Sequence, residues 1–589
     1  MILLNVSLRR STNMSSRRFV RVLLVVLTLL VVRALPAAAE WQVWTVTETR
    51  RVLREDPAEK QLAVSVAAAR NEWESFQVLV RSDAPVRGIR VEPGELRGPD
   101  GAVLAADRAR LYRQHQFQLI EPTHRNDRFR PGWYPDGLIP FVHPLTGKPL
   151  TGARLKAVPL DLQAGQTEGF WVDLFVPADA KPGTYRGSFR VTAEGGQSRE
   201  IPVTLTVWDF ALPEFPTMQT SFGSPAHQLR GYYRKRGQAG KEKEKEKEPA
   251  DWKAVDRQCA ALLCEHHINA TPPGPLAPAA QADGTFRIPS EQVRALREFV
   301  DRYRVNAVDI VHPSSAVKDP ERERTKLHAW LKSWDRAAAE LDRPQVTLYT
   351  YLLDEPNDLE AYRYVQKWGR AIREARSVVK VMVVEQTWTQ DPAWGDLYGA
   401  IDIWCPLFCL HKQDSAAKRQ ALGETIWTYT ALCQCDKKTP WWHTDFPLLH
   451  YRVPAWMMWR DRMRGLLYWG GMSHWSQVDD PWTDPKTYDL RKKREGPLFN
   501  GEGSLVYPGR AAGYDGIASS LRLKALRDSI EDYEYLAILE RMGLAAEAEK
   551  IVLPLTDSFF RWDPDPGKYQ QARAKLAGLI IGARDKAQR

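Results

Sequence analysis

The sequence predicts a multidomain protein in which an N-terminal antiparallel β-sandwich is followed by a (β/α)8 barrel with C-terminal helices. Three observations support this prediction: the chain has 589 residues, its first third alternates apolar and polar residues, and eight strand-like segments then alternate with helices. A chain of this length exceeds what one hydrophobic core usually supports. The predicted divisions are a leader at 1–39, the sandwich at 40–216, the barrel at 217–515 and a helical segment at 516–589 packed on the barrel.

The first 39 residues have the pattern of a secretory signal peptide. Arginines precede the apolar run Val22–Val32, and small residues offer a cleavage site after Ala39. The run is short for a membrane span, although an uncleaved anchor remains the alternative. We therefore expect a secreted or periplasmic protein with no integral membrane domain after cleavage. Loss of the leader, with six Arg and no acidic residue, reduces the net charge from +10 to +4, a mild excess that does not indicate nucleic-acid binding.

The segment from Trp41 to Pro216 predicts strands and turns. Runs such as "FQVLVRS" (76–82) and "GSFRVTA" (187–193) alternate apolar and polar residues, and "KPG" (181–183) supplies a turn before the second run. Few helical periods appear here, which favours an antiparallel sandwich.

After residue 216 the pattern changes to strand and helix in alternation. Eight strands with intervening helices favour a closed barrel over the alternative, a doubly wound open sheet. The predicted strands are 218–223, 268–272, 306–311, 346–354, 379–386, 401–406, 425–431 and 465–471. The Lys-Glu run at 241–248 is expected to be a solvated insertion. Apolar residues at three- and four-residue spacing in 519–542 predict a helix packed on the barrel.

The six cysteines do not indicate a metal site. Cys405/Cys409 and Cys433/Cys435 lack the C-x2-C spacing of zinc sites, so neither a metal nor another cofactor is predicted. Buried thiols or one disulfide are expected instead.

Two adjacent acids, Asp354 and Glu355, follow the fourth predicted barrel strand in "TLYTYLLDEPND". Acids near a helix start are often structural, because they accept hydrogen bonds from unpaired N–H groups. The carboxyl end of a barrel strand, however, is where these folds place catalytic residues. Two neighbouring carboxylates in an aromatic pocket repel each other and lose hydration, which favours one protonated acid near neutral pH. Both residues are therefore predicted to be catalytic.

Aromatic residues at the other strand ends predict a surface for a sugar ring. His312 ends the third strand, Trp388 follows the fifth, Trp404 ends the sixth, Tyr429 lies in the seventh and Trp469 ends the eighth. These five residues are predicted to bind substrate. Conventional glycosidases separate their two acids across the sugar, whereas consecutive acids fit a reaction in which the substrate supplies the nucleophile.

Several stretches resemble the glycoside hydrolase family 123-like proteins, a group that overlaps the set called domain of unknown function 4091. They are "YLLDEP", "GLLYWGG", "NGEGSLVYPG" and "LRLKALRDSIEDYEYLAILE", together with "WVDLFVPADAKPGTYRG" and "GWYPDGLIP" in the predicted sandwich. The resemblance implies a sandwich followed by a barrel, and retaining exo-hydrolysis of β-linked N-acetylgalactosamine. It further implies that Asp354 orients the substrate's 2-acetamido group, while Glu355 protonates the leaving oxygen and then activates water.

The expected partner is therefore a carbohydrate, a glycan with a terminal N-acetylhexosamine. Two alternatives remain: a glycosidase of other specificity on the same scaffold, and a non-catalytic carbohydrate-binding surface protein. An intact pair of adjacent acids favours an enzyme over the binding protein.

Overall fold

The structure is a computed structural model that describes residues 41–238, 247–272, 274, 276–434, 438–492 and 495–588. The predicted leader and most of the Lys-Glu run lie outside the described residues. Within those ranges, no helix is long and apolar enough to cross a membrane.

The N-terminal domain is a sandwich of two sheets. Its strands are β1 (Trp41–Thr47), β2 (Val64–Arg70), β3 (Glu72–Ser82), β4 (Val86–Glu92), β5 (Leu96–Arg97), β6 (Val103–Leu104), β7 (Ala109–Leu119), β8 (Gly132–Pro140), β9 (Leu160–Leu162), β10 (Thr167–Val176), β11 (Gly183–Thr192) and β12 (Ser198–Ala211). One sheet has the order β1-β3-β10-β7-β8 and the other β2-β12-β11-β4-β9, with β5 and β6 at the side of β11. The prediction of a sandwich is confirmed, but one pair, β2 with β12, is parallel. Alternate residues such as Phe170 and Val172 fill the core between the sheets.

The strands after the sandwich follow in chain order: β13 (Gln219–Ser221), β14 (Ala279–Ala280), β15 (Phe286–Arg287), β16 (Ala307–Asp309), β17 (Thr347–Asp354), β18 (Lys380–Val384), β19 (Ile403–Trp404), β20 (Thr425–Thr430), β21 (Gly465–Tyr468), β22 (Tyr488–Asp489), β23 (Leu498–Phe499), β24 (Tyr507–Pro508), β25 (Ile517–Ala518), β26 (Thr556–Ser558) and β27 (Arg561–Trp562). β13 and β16–β21 form a parallel sheet in the order β13-β21-β20-β19-β18-β17-β16, a nearly closed barrel. The others pair as short two-stranded ribbons.

The helices are α1 (Pro225–Gln238), α2 (Trp252–Glu265), α3 (Ser290–Tyr303), α4 (Arg324–Leu341), α5 (Leu359–Glu374), α6 (Gln413–Gln420), α7 (Leu449–Arg452), α8 (Pro454–Arg460), α9 (Leu521–Arg541), α10 (Ala545–Val552) and α11 (Pro566–Gln588). Side chains of the barrel strands alternate between two clusters. Tyr349, Ile403 and Tyr429 point into the barrel, whereas Val383, Trp404 and Ile426 point outward to the layer that contains the helices.

The second of the eight predicted strands, 268–272, is not formed, so the barrel has seven strands among the described residues. Hydrogen bonds of Asn269 replace the backbone hydrogen bonds that a strand would form here. Its N–H and Nδ2 donate to Oγ1 and O of Thr220 at 2.7 and 2.9 Å, and its Oδ1 accepts from the N–H of Asn306 at 2.9 Å. Asn306 Nδ2 in turn donates to the carbonyl of Met218 at 3.0 Å. Side-chain amides thus bridge β13 and β16, and Pro272, which has no N–H, ends the segment.

Helix α9 is buried on nearly all sides, which differs from the one-sided packing that its spacing predicts. The reason is its position between the barrel and the sandwich. Lys524 Nζ lies 2.7 Å from Asp173 Oδ2 on β10, and Arg522 Nη2 lies 2.8 Å from Asp136 Oδ2 on β8. The C-terminal helix α11 also reaches the sandwich, where Arg573 pairs with Glu74 at 2.8 Å. Buried ion pairs therefore join the two domains.

Candidate active site

Asp354 and Glu355 lie at the carboxyl end of β17, at the mouth of the barrel. Glu355 has a left-handed backbone conformation, with φ of 42°. Its N–H donates to the carbonyl of Val384 at 3.1 Å, and its own carbonyl accepts from Nδ2 of Asn357 at 2.8 Å. Such a conformation costs about 1–3 kcal/mol for a residue with a β-carbon, and strain of this kind clusters at functional sites. The chain therefore turns sharply where the acids leave the sheet.

A β-bulge in β17 precedes the acids. The register with β18 shifts from Tyr351 opposite Met382 to Leu353 opposite Val383, so β17 holds one extra residue. Bulges of this kind redirect side chains and are frequent beside active sites. Here the side chain of Leu352 packs in the outer layer, whereas the side chains of Tyr351 and Asp354 form a hydrogen bond at the barrel mouth.

Each acid accepts a hydrogen bond from its own tyrosine. Tyr351 Oη donates to Asp354 Oδ1 at 2.8 Å, and Tyr429 Oη donates to Glu355 Oε1. Burial and the adjacent Asp354 carboxylate raise the pKa of Tyr351, and burial and the Glu355 carboxylate do the same for the pKa of Tyr429. Both phenols therefore stay protonated and fix the two carboxylates in separate orientations.

A third carboxylate, Asp309, ends the neighbouring strand β16 and points into the barrel. Its Oδ1 accepts from the N–H of Tyr351 at 3.2 Å. Burial raises the pKa of Asp309 to about 6. The residue nevertheless keeps solvent-exposed surface. In the register of β16 and β17, Asp309 is opposite Tyr349. Tyr349 precedes Asp354 by five residues, so Asp309 lies deeper in the barrel than the two adjacent acids.

A fourth acid, Glu385, lies behind the site and is only 5% exposed. Tyr362 Oη donates to its Oε1 at 3.0 Å. Burial, together with the charge of Glu355, raises the pKa of Glu385 to about 8. Gln390 connects this pair to the mouth, because its N–H donates to Tyr362 Oη at 3.4 Å and its Nε2 donates to Asn357 Oδ1 at 3.0 Å. Asn357 donates a hydrogen bond to the carbonyl of Glu355. Glu385 therefore supports the turn at Glu355 through hydrogen bonds that run by way of Tyr362, Gln390 and Asn357.

Two models of one protein family match the chain. The first is Glycoside hydrolase 123, catalytic domain, over residues 321–539, and the second is Glycoside hydrolase 123 N-terminal domain, over residues 44–193. Together they cover more than half of the sequence, and the first includes both adjacent acids. The chain belongs to the family 123-like glycoside hydrolases. The resemblance seen in the sequence is thereby confirmed.

The fold agrees with this family. A family 123 glycoside hydrolase from Clostridium perfringens, studied for glycolipid glycan hydrolysis, is similar to 93% of this chain over 98% of its own, with a TM-score of 0.62 and 14% identity. At that identity the likeness concerns the fold alone. A family 39 glycoside hydrolase from the gut symbiont Bacteroides cellulosilyticus has a TM-score of only 0.30 at 9% identity, with 82% of each chain covered, and supports no argument. No functionally curated protein matched the sequence.

In this family 123-like hydrolase, two of the five predicted substrate-binding aromatics, Tyr429 and Trp469, lie at the carboxyl ends of β20 and β21, at the barrel mouth. Tyr429 holds Glu355, as described above. Trp469 follows β21, donates through Nε1 to Glu502 and packs against His474 and Tyr488 with ring centroids 5.1 and 5.6 Å apart. Its ring is partly buried, so part of it remains accessible at the rim.

The other three are placed differently. Trp388 lies in the loop after β18, where Nε1 donates to the carbonyl of Leu410 at 3.1 Å and Lys412 covers one face at 3.6 Å. His312 packs on α5, with Trp368 at 5.3 Å, and burial lowers its pKa. The side chain of Trp404 points away from the mouth and donates to Glu424 at 2.7 Å in the outer layer. The structure therefore does not bring Trp404 or His312 together with the acids.

Sequence reasoning missed Asp309, Glu385 and Tyr351. The first had a usable signal, because an acid interrupts the apolar residues of the predicted strand "NAVDIV". The position of Tyr351 depends on the bulge, which the sequence pattern does not reveal. Glu385 acquires its role from Tyr362 on α5, a contact between distant parts of the chain.

Proposed function

We propose that the protein is an exported, retaining glycoside hydrolase that removes β-linked N-acetylhexosamine of the N-acetylgalactosamine type by substrate-assisted catalysis. The observation that carries this proposal is the arrangement of Asp354 and Glu355. They are consecutive at one strand end, and a separate tyrosine holds each carboxylate. Consecutive residues approach the sugar from one side, so neither is suited to attack from the opposite side.

In the proposed first step, Glu355 donates a proton to the glycosidic oxygen as the bond to the anomeric carbon breaks. The 2-acetamido carbonyl oxygen attacks that carbon and closes a cyclic oxazolinium intermediate. Asp354 accepts a hydrogen bond from the acetamido N–H and stabilises the positive charge that develops. Tyr351 keeps Asp354 in the required orientation.

In the second step, the ionised Glu355 removes a proton from water, and the oxygen of that water attacks the anomeric carbon. The ring of the intermediate opens and the acetamido group is restored. Two displacements at the same carbon give net retention. We expect Asp309, which lies on the strand next to β17 and below the two adjacent acids, to accept a hydrogen bond from a sugar hydroxyl.

A conventional glycosidase is the second candidate, and the position of Asp309 favours it. This acid points into the barrel from the strand next to β17 and would act as the nucleophile, with Glu355 as the acid. Asp309 lies at the level of Tyr349, deeper than Asp354. This depth favours a role in binding a sugar hydroxyl over a role as the nucleophile.

Matched chromogenic substrates separate these functions. We expect hydrolysis of 4-nitrophenyl N-acetyl-β-galactosaminide with retention at the anomeric carbon, measured by NMR. The corresponding β-galactoside, which lacks the acetamido group, should be hydrolysed at least about 10²-fold more slowly. Fast hydrolysis of the galactoside, abolished by Asp309→Asn, would support the conventional mechanism. No turnover of any aryl glycoside would support a carbohydrate-binding protein instead.

The proposed export rests on the leader pattern. We expect the mature chain to begin at Glu40, which intact-mass measurement of protein from the secreted or periplasmic fraction tests. A mature mass that includes residues 1–39 would indicate an uncleaved anchor.

A further inference from the structure

A cavity of about 710 Å³ lies at the junction of sandwich and barrel, next to the segment that follows β20. Its walls come from the segment after β1, the loop between β7 and β8, the segment after β20, α7 and the β26–β27 ribbon. Thr123 and Asn126 anchor the β7–β8 loop, since both donate to the carboxylate of Asp445 at 2.6–3.0 Å. We call this space the junction cavity.

The junction cavity is strongly cationic. Seven Lys and Arg side chains line it, against two carboxylates, Asp127 and Asp445. Asp445 accepts hydrogen bonds from Thr123 and Asn126 and keeps its negative charge, and Asp127 lies 2.8 Å from Lys438. The cavity therefore holds a clear excess of positive charge.

Three of the cations have carboxylate partners outside the lining. Arg50 pairs with Glu59 at 2.7 Å, Arg130 with Asp56 at 2.6 Å, and Arg561 with Asp557. Arg125 Nη1 donates to the carbonyl of Gln434 at 3.4 Å. Arg51 and Arg128 are the two other cations of the lining. Arg128 is exposed and forms no ion pair within the described ranges.

Arg51 is the most informative of these residues, because its side chain is only 7% exposed. Its nearest carboxylate is Asp136 at 3.5 Å, but Asp136 is bound more closely by Arg522, at 2.8 Å. Two buried guanidinium groups thus share one carboxylate. Within the described residues, Nε and Nη2 of Arg51 have no hydrogen-bond partner. A buried guanidinium group that shares its carboxylate with a second cation and has unpaired N–H groups is costly, and an anion in the adjacent cavity would offset that cost.

The cavity also has aromatic walls. Trp441, Phe560 and Trp562 line it, and Trp441 Nε1 donates to the carbonyl of Ala431 at 2.7 Å. Ala431 and Phe560 also pack against the hydrophobic cluster inside the barrel. Ala431 directly follows β20, the strand that carries Tyr429. One wall of the cavity therefore packs against the same cluster as Tyr429, which donates to Glu355.

We propose that the junction cavity binds acidic sugar units, carboxylated or sulfated, on the leaving-group side of the substrate. This proposal rests on the proposed function, in which the barrel holds the terminal N-acetylhexosamine and the rest of the glycan extends from the mouth. Guanidinium groups recognise carboxylate and sulfate through charge-assisted hydrogen bonds, and aromatic faces stack on sugar rings. The substrate class is thus an acidic rather than a neutral glycan.

The test uses two disaccharides that differ only in charge: N-acetyl-β-galactosamine linked to glucuronic acid, and the same sugar linked to glucose. In the mature protein we expect kcat/KM to be about 10-fold or more higher for the acidic disaccharide, and the difference to shrink as salt is raised. Arg128→Gln and Arg51→Gln should each lower kcat/KM for the acidic substrate about 5–20-fold, mainly through KM. The neutral disaccharide and the aryl glycoside should change less than about twofold.

Two controls accompany these variants. Arg199→Gln removes an exposed arginine from β12, in the sandwich, and should leave all three substrates unaffected. Because Arg51 is buried, its variant is compared by thermal unfolding. Arg128 is exposed, so Arg128→Gln keeps the test valid if Arg51→Gln does not fold. Equal losses on acidic and neutral substrates, or no preference for the acidic one, would overturn the proposal.

Direct binding separates failure of this proposal from failure of the proposed function. Titration calorimetry with an oligosaccharide rich in glucuronic acid should show binding that Arg128→Gln weakens, even if no aryl glycoside is hydrolysed. A neutral oligosaccharide of the same length should not bind measurably at the same concentrations. Equally tight, Arg128-dependent binding of single-stranded DNA or of a polyglutamate peptide would contradict an assignment to saccharides.

Discussion

Glu355 is the residue on which most of the local structure converges. Its left-handed backbone is held by Val384 and Asn357, and its carboxylate by Tyr429. In the proposed mechanism, this fixed orientation prepares the Glu355 carboxyl group for proton transfer before the substrate arrives.

Replacing Glu355 tests this role. We expect Glu355→Gln to lower kcat for a natural glycoside about 10²–10⁴-fold, because the amide cannot donate the proton that the leaving oxygen needs. An activated aryl glycoside should lose less in its first step. Glu360→Gln, which changes an exposed acid in the first turn of α5, is the matched control. Wild-type kinetics in Glu355→Gln would remove this residue from the mechanism.

Glu385 predicts a pH-dependent stability. Its pKa is raised from 4.5 to about 8, so between these values the folded protein binds a proton that the unfolded chain has released. Its contribution to stability is therefore complete below pH 4.5 and is lost as the pH rises through 8. Glu385→Gln, which mimics the protonated acid, should gain stability relative to wild type by about 2–4 kcal/mol over that window. Chemical denaturation at several pH values measures the difference, and a constant difference would contradict the assignment.

The two catalytic candidates could be predicted from the sequence because they follow a strongly apolar strand and a barrel places its chemistry there. The orientation of the aromatic residues is harder to predict, and substrate binding by these residues stays a prediction. Trp404 follows Ile403, which points into the barrel, so strand alternation turns Trp404 outward. To predict whether Trp404 faces inward or outward, the register of β19 must be known. A strand as short as β19 does not reveal it in the sequence.

At the scale of elements, the barrel closes through side chains where a second strand is expected. The segment 268–272 is apolar enough to suggest a strand. Instead of pairing as a strand, Asn269 forms hydrogen bonds with Thr220 on β13 and with Asn306 just before β16. A sequence pattern reveals the spacing of apolar residues. The contact between Asn269 and Asn306 depends instead on the geometry of two side-chain amides that are distant in the sequence. The prediction of eight strands was wrong for that reason.

Asn269 should therefore contribute strongly to stability. Asn269→Ala leaves buried groups of Thr220 and Asn306 without partners and should cost about 1–3 kcal/mol for each unsatisfied group. Urea unfolding measures this loss. Gln292→Ala, on the exposed face of α3, should leave the midpoint unchanged. Equal midpoints for the two variants would show that the asparagine bridge does not support the barrel.

At the scale of the whole molecule, α9 joins the two domains through buried charge. Asp173 on β10 lies 2.7 Å from Lys524 and 3.2 Å from Arg527, and all three side chains are 0% exposed. The sequence predicts the helix correctly, but its polar residues would ordinarily face solvent. Their burial is explained only by the sandwich on the other side.

Removing the shared carboxylate should destabilise both domains together. Asp173→Asn removes the nearest carboxylate from two buried cations and leaves them Glu265, at 3.0 Å from Lys524, and Asp528, at 3.5 Å from Arg527, as their nearest carboxylates within the described residues. We expect a loss of up to about 3–5 kcal/mol. Glu200→Gln is the control, because Glu200 and its partner Arg190 are 48% and 57% exposed and a solvated pair contributes little. Scanning calorimetry should show a lower transition temperature for Asp173→Asn alone. Separate transitions for sandwich and barrel in the wild type would contradict a joint unit.

The central claim is that the substrate's acetamido group, held by Asp354, is the nucleophile. The most direct measurement is inhibition by an N-acetylgalactosamine-derived thiazoline, which mimics the cyclic intermediate, in wild type and in Asp354→Asn. We expect competitive inhibition of the wild type, and a variant in which turnover and inhibitor affinity fall together. Absence of thiazoline inhibition, with efficient hydrolysis of a 2-hydroxy glycoside, would contradict the claim.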